Sequence, residues 1–234
     1  MNIIDIPRIT CKKKTKKLKI VAYLNTTSNY NVKNIKINKT KDMKILLKKL
    51  INPLTKRIKM YHELFSLPLI AEQWEETLHR SILDIGYTTS WKPLRSHMIG
   101  EDMRINEIHN SRISCKSGQL VYSKELNTYC VKFNGSRTTS YETLENKINH
   151  LSKSHDDYYF MLSKNKTFDK KYKLLVFKSS VCNVNKLNWS VSKSKKSFHG
   201  KGDFTASISN SMSGQLWTTL PLTKISYILD IDCS

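Results

Sequence analysis

Amphipathic periodicity begins after residue 40. Met43, Leu46, Leu47 and Leu50 fall three and four positions apart, the spacing of one helix face, with Thr40 placed to cap it. Asn52-Pro53 predicts a break and a second helix carrying Leu54, Ile58, Tyr61 and Phe65. Pro68 interrupts again. A third helix then runs from about Leu69 to Ile85 on the stripe Ile70, Trp74, Leu78, Ile82 and Ile85, stopped by Gly86. From residue 101 the period shortens to two. EDMRINEI, SRISCKS and ELNTYCVKF read as strands. SYETLENKINHLSK reads as a helix with Tyr141, Leu144, Ile148 and Leu151 on one face and Ser140 as its cap. DDYYFMLSK and KYKLLVFK are two more strands, residues 182–204 read mostly as loop, and DFTASISNSMSGQLWTTLPL and KISYILDID close the chain mainly as strand. Upstream, KLKIVAYL and YNVKNIKIN around NTTSN predict a basic hairpin over 11–39. Helices interspersed with strands imply an α/β fold, a mixed central sheet flanked by helices. The expected division is a basic N-terminal extension over 1–68, hairpin and helices, ahead of a core over 69–234.

Charge changes this picture more than composition does. The 234 residues carry a formal net charge of +21, and the first sixty hold seventeen Lys and Arg against only Asp5 and Asp42. Such an excess opposes the compact state by self-repulsion, and it fits a polyanionic partner such as DNA, RNA or an anionic membrane surface; a solvated Lys-rich surface is the plainer alternative. The longest mostly apolar stretch, LFSLPLIA, is far short of the ~20 residues that a membrane helix needs. MNIIDIPRITCKKK has no apolar segment after a basic start, so no secretory signal is read there. Five scattered cysteines with no CxxC pair and no zinc spacing fit structural thiols in a reducing cytoplasm. No Walker loop, dinucleotide fingerprint or Ser/His/Asp order is present.

The strand alternation raises a question about Lys116. In SRISCKSG, Ile113 and Cys115 point to one face and Ser114 and Lys116 to the other. Asp102, Arg104 and Asn106 share one face of the preceding strand. A short turn at Asn110 would bring the two polar faces together and set a carboxylate beside a lysine. Mg²⁺ is satisfied by one or two carboxylates with water and phosphate oxygens. It polarises a phosphoryl oxygen and acidifies a bound water. Asp102 is then the principal metal ligand and Lys116 the cation that orients the water and steadies charge at phosphorus. Ser114 occupies the place of a second acid. The plainer reading has Asp102 capping a strand or pairing with Arg104, and Lys116 snorkelling at a sheet edge.

Asp102, eleven residues, then Ser114-Cys115-Lys116 resembles the motif of the PD-(D/E)xK nucleases, and the order of elements over roughly 69–180 resembles their core. Serine at the second acidic position is similar to a variant in some type II restriction endonucleases, where a helix brings a further glutamate. Glu101 rather than proline precedes Asp102. In AEQWEETL, Glu75 lies near the inward stripe and is the first candidate for both metal binding and catalysis; Glu142 and Glu145 are alternatives. The resemblance implies a restriction-endonuclease-like core and a Mg²⁺-dependent site-specific endodeoxyribonuclease, with Mn²⁺ able to substitute. It also implies double-stranded DNA as substrate, a homodimer for a palindromic target, and a partner methyltransferase.

KFNGSRTTSYETLENK supplies candidates for DNA contact: Lys132, then Ser136, Arg137, Thr138 and Thr139 after the Asn134-Gly135 turn. The Gly-Ser-Arg-Thr-Thr run also resembles restriction endonucleases. SKSKKSFHGKGDF, with Lys195 and Lys196, reads as a second arm, and Lys12–Lys19 as phosphate-contacting. SNSMSGQLW is either recognition chemistry or a strand edge with Leu216 and Trp217 in the core. The rival expectations are a non-catalytic DNA- or RNA-binding protein and a structure-selective repair or junction nuclease.

Overall fold

The structure is a computed structural model describing residues 39–91, 101–138, 141–153, 156–193, 197–209 and 214–234. The 11–39 hairpin, Lys12–Lys19, Thr139, Ser140, Lys195 and Lys196 fall wholly or mainly outside the described residues.

Helix α1 spans Lys39–Leu64 without interruption, so the break expected at Asn52-Pro53 does not occur. Pro53 removes one backbone donor, which costs about 3 kcal/mol or more in a helix interior. The stripes before and after it are in phase, however, and Met43, Leu46, Leu50, Leu54 and Ile58 are all fully buried on one face. Burying each such side chain contributes about 1.5–3 kcal/mol, so Leu54 and Ile58 together offset the lost bond. Helix α2 spans Ala71–Asp84 and buries Trp74, Leu78 and Ile82, as the periodicity predicts; Ile70 remains exposed. α1 packs in the same core as α2, and the compact unit runs Lys39–Ser234, so α1 belongs with the residues beyond 69.

The strands are β1 Met103–Ile105, β2 Ser111–Ser123, β3 Thr128–Arg137, β4 Tyr158–Lys164 and β5 Lys171–Lys178, with helix α3 at Leu144–Ser152 between β3 and β4. They continue as β6 Asn188–Val191, β7 Ser197–Lys201, β8 Thr205–Ser209, β9 Gln215–Pro221 and β10 Tyr227–Asp232. Two strands therefore lie in the 182–204 stretch expected to be loop. Its polar residues sit on an open sheet face, and Gly200 is in the strand because a Cβ there would meet Leu187 and Trp189 at 2.9 Å. Thr143, rather than Ser140, caps α3 by accepting from the Asn146 amide at 3.2 Å.

All ten strands join one mixed sheet in the order β10-β5-β4-β2-β3-β9-β8-β7-β6, with β1 on β2. Every pairing is antiparallel except β2 with β4, where Ile113 stands opposite Tyr158 and Lys116 opposite Met161. α1 and α2 cover one face through Ile113, Cys115, Phe160, Leu174 and Val176. α3 and the 3₁₀ turns at 179–186 lie over the other, on Phe133, Met161, Phe177 and Leu216. No helix among the described residues is long and apolar enough to cross a membrane.

Candidate active site

A gap in the sheet builds the site. On one edge, β2 pairs with β1 through residues 111–113 and with β3 through 118–123. Among the described residues, 114–117 have no strand partner on that edge. Asp102, just ahead of β1, enters this gap. Its Oδ2 accepts from the Cys115 amide at 2.5 Å and the Ser114 hydroxyl at 3.2 Å, and lies 3.6 Å from Lys116 Nζ. The carboxylate thus replaces a missing ladder partner, which fixes its position through the backbone itself. The turn that makes this possible closes at Asn110, where His109 and Asn110 both take positive φ, 53°. Asparagine tolerates that region better than most residues.

Arg104 does not compete for Asp102, because Glu101 takes its guanidinium through two contacts of 2.5 and 2.8 Å. Lys116 and Asp102 are both partly buried, their side chains 26% and 11% exposed. Ser114 is buried.

Glu75 reaches the same region from α2 and is buried. Burial is the main cause that pushes its carboxyl up to about 6; the neighbouring Asp102 charge adds to this, while Trp91 and Lys116 oppose it. Glu142 and Glu145 are exposed and Glu76 binds Arg80, so Glu75 is the buried carboxylate among the candidate glutamates.

Sequence reasoning missed Asp156. It precedes β4, is 8% exposed, and its Oδ1 has no hydrogen-bond partner. Burial pushes its carboxyl up to about 7; Lys116 draws it back and Asp102 adds to the rise. Its neighbour Asp157 accepts from the Arg112 amide at 3.0 Å, anchoring β4 to β2. Asp156 lines a cleft of about 320 Å³ with Ser136, His150, Ser179 and Thr218. The only sequence signal was an acidic doublet at a strand start, which is ordinary for a turn.

The DNA-contact candidates divide. Ser136 and Arg137 are exposed at the end of β3. Thr138 is fully buried, and both its amide and hydroxyl bind the Gly214 carbonyl, at 2.9 and 2.6 Å, so it is removed as a contact residue. Lys147 is also buried, its ammonium donating to the Thr138 and Tyr141 carbonyls. These bonds tie down the chain beyond Arg137. Lys132 is opposite Gln119, on the Cys115 face of the sheet rather than the Lys116 face. There it lies 5.3 Å from the centre of the Trp217 ring, beside a groove of about 430 Å³ that Lys193, His199 and Lys201 also line. Trp217 is 39% exposed on this face, whereas Leu216 is in the core.

Among the described residues, no three His, Cys, Asp or Glu side chains are gathered tightly enough to hold a metal ion by themselves. No family model, curated protein or solved structure matches the chain.

Proposed function

We propose that the chain is a divalent-cation-dependent endodeoxyribonuclease cutting double-stranded DNA at a short specific sequence, of the type II restriction kind. The observation that carries this reading is Asp102, held in the sheet gap by a backbone amide and 3.6 Å from the Lys116 ammonium. The helix–strand–strand–strand–helix–strand order around it and the net charge of +21 support it.

The donor set suits a hard cation such as Mg²⁺. The Asp102 charge adds to the cost of ionising the buried Glu75, and a positive ion between carboxylates would relieve it. Asp102 and Glu75 would hold the ion, which would polarise a phosphoryl oxygen and acidify a bound water. Lys116 meets the negative charge that grows at phosphorus, its ammonium oriented in advance by Asp102. Ser114 donates to Asp102 and keeps that carboxylate turned toward the lysine.

Incubation of the purified chain with sequenced duplex DNA and Mg²⁺, followed by mapping of the ends, tests the reading. Discrete ends are expected. Asp102→Ala and Lys116→Ala should each lower cleavage by at least about 10²-fold, with binding kept in a mobility-shift assay. If neither Mg²⁺ nor Mn²⁺ supports any cutting by the wild-type chain, the proposal is wrong. The groove beside Lys132 and Trp217 favours a second reading, nucleic-acid binding without cleavage, since a cation and an aromatic face suit phosphate and an unstacked base. Binding that survives while no cutting is ever seen would select it.

A further inference from the structure

We propose that Asp156 supplies the acidic oxygen that Ser114 does not, holding a divalent cation jointly with Asp102 on the cleft side of Lys116. This rests on the nuclease reading and assigns part of the metal binding to a residue outside its motif.

Three observations point to Asp156. First, the Asp156 residue is only 8% exposed, and its Oδ1 is buried with no hydrogen-bond partner. An unpaired buried carboxylate is costly, so a buried acid normally has a cation or donors beside it. The nearby cations are otherwise engaged: Lys116 lies against Asp102, Arg104 binds Glu101, and Arg112 lies 3.9 Å from Asp157. Second, Thr218 Oγ1 is a further buried oxygen without a partner, and it lines the same cleft. Two orphaned oxygens on one cleft indicate a wall built for something hydrated or cationic. Third, Asp156 lies within electrostatic reach of both Lys116 and Asp102.

The topology accounts for the arrangement. Asp102 enters from β1 on one edge of β2, and Asp156 from the start of β4 on the other edge. Ser114 and Lys116 lie on the strand between them. An acid at Ser114 would sit between two others, so a serine that donates to Asp102 suits a strand already flanked by carboxylates. Two carboxylates with water and a phosphate oxygen meet the needs of Mg²⁺, so a preassembled cage of three is not required.

The test is Mn²⁺ titration of the full chain, followed by the loss of the free-ion electron paramagnetic resonance signal, alone and with a phosphorothioate duplex that resists cutting. Asp156→Asn should weaken Mn²⁺ binding at least about tenfold, no less than loss of an outer-shell partner usually does. Adding Ser114→Asp to that variant should recover part of the affinity, which a fold defect would not allow. Unchanged Mn²⁺ binding in Asp156→Asn, or no Mn²⁺ binding by the wild-type chain under either condition, overturns the inference. The two claims fail separately. Cleavage by wild type with Mn²⁺ affinity indifferent to Asp156 removes this assignment and leaves the nuclease. Asp156-dependent Mn²⁺ binding with no cutting of any DNA does the reverse.

Discussion

Gly118, two residues beyond Lys116, shows how closely β2 is packed next to the site. A Cβ there would lie 2.6 Å from Val131 Cγ2 and 2.7 Å from Met161 Sδ. Methionine can move aside; a branched valine on the paired strand cannot do so cheaply. Gly118→Ala is therefore expected to destabilise the fold by about 1–3 kcal/mol, seen as a lower urea midpoint at unchanged slope. Tyr172 offers a second test. Its hydroxyl accepts from the Leu69 amide at 3.3 Å and meets His62 Nε2 at 2.8 Å, while His62 Nδ1 lies 3.0 Å from the Phe65 carbonyl. A carbonyl only accepts, so Nδ1 carries the proton and Nε2 accepts from the tyrosine in the neutral ring. Tyr172→Phe leaves a buried amide and a ring nitrogen unpaired, and should cost about 1–3 kcal/mol in the same denaturation assay. At this scale Lys116 was legible from the alternation in SRISCKSG, and Asp102 from its spacing to Ser114-Cys115-Lys116 within the helix–strand–strand order. Asp156 was not, because its position depends on a pairing with β2 that local pattern does not encode.

Among the elements, α1 and α2 were visible in outline because period 3.6 survives in Met43–Ile58 and Trp74–Ile82. Their boundary was misplaced at Pro53, where local backbone preference disagreed with a continuous buried stripe and the stripe prevailed. Pro53→Ala restores the donor while leaving the stripe intact, so it should raise stability by up to about 3 kcal/mol, read as a higher thermal midpoint. Strands β6 and β7 were hidden for a different reason: they are only four and five residues long, NWSV and SFHGK, and the Lys- and Ser-rich run SKSKK between them dominates the stretch. The two helices are further joined by Arg57 and Asp84, which share two contacts of 2.7 and 2.8 Å. The Arg57 hydrogen bond holds the Asp84 carboxyl below its usual range, with burial opposing it. A carboxyl lowered in the folded state adds stability above its unfolded value and loses that stability as pH falls through the folded one. Asp84→Asn should therefore lower the thermal midpoint slightly at neutral pH, and the difference should vanish in strong acid. The pair is largely exposed, so the effect stays within about 1 kcal/mol.

On the scale of the whole molecule, charge and topology act together. A net charge of +21 predicts that DNA binding weakens steeply with salt, because each lysine or arginine on a phosphate releases condensed counterions. For six or more phosphate contacts the loss between 50 and 200 mM salt is about 10³-fold or greater, measurable by fluorescence anisotropy. A flat response would remove the polyanion argument. Lys132→Ala together with Trp217→Ala, on the open sheet face, should weaken binding without altering Mn²⁺ affinity, since Lys132 is on the opposite sheet face from Lys116.

The single parallel pairing has a consequence in time. β2 forms its hairpin with β3 almost at once, but Ile113 meets Tyr158 only after β3 and α3 have been traversed. Contacts that close long loops form late, after the local ones have reduced the entropy to be lost. A chain still emerging from synthesis already has Asp102, Ser114 and Lys116, yet lacks the strand that delivers Asp156. The proposed pair of Asp102 and Asp156 is complete only once β4 docks, so the long-range pairing delivers that pair after the local hairpin has formed.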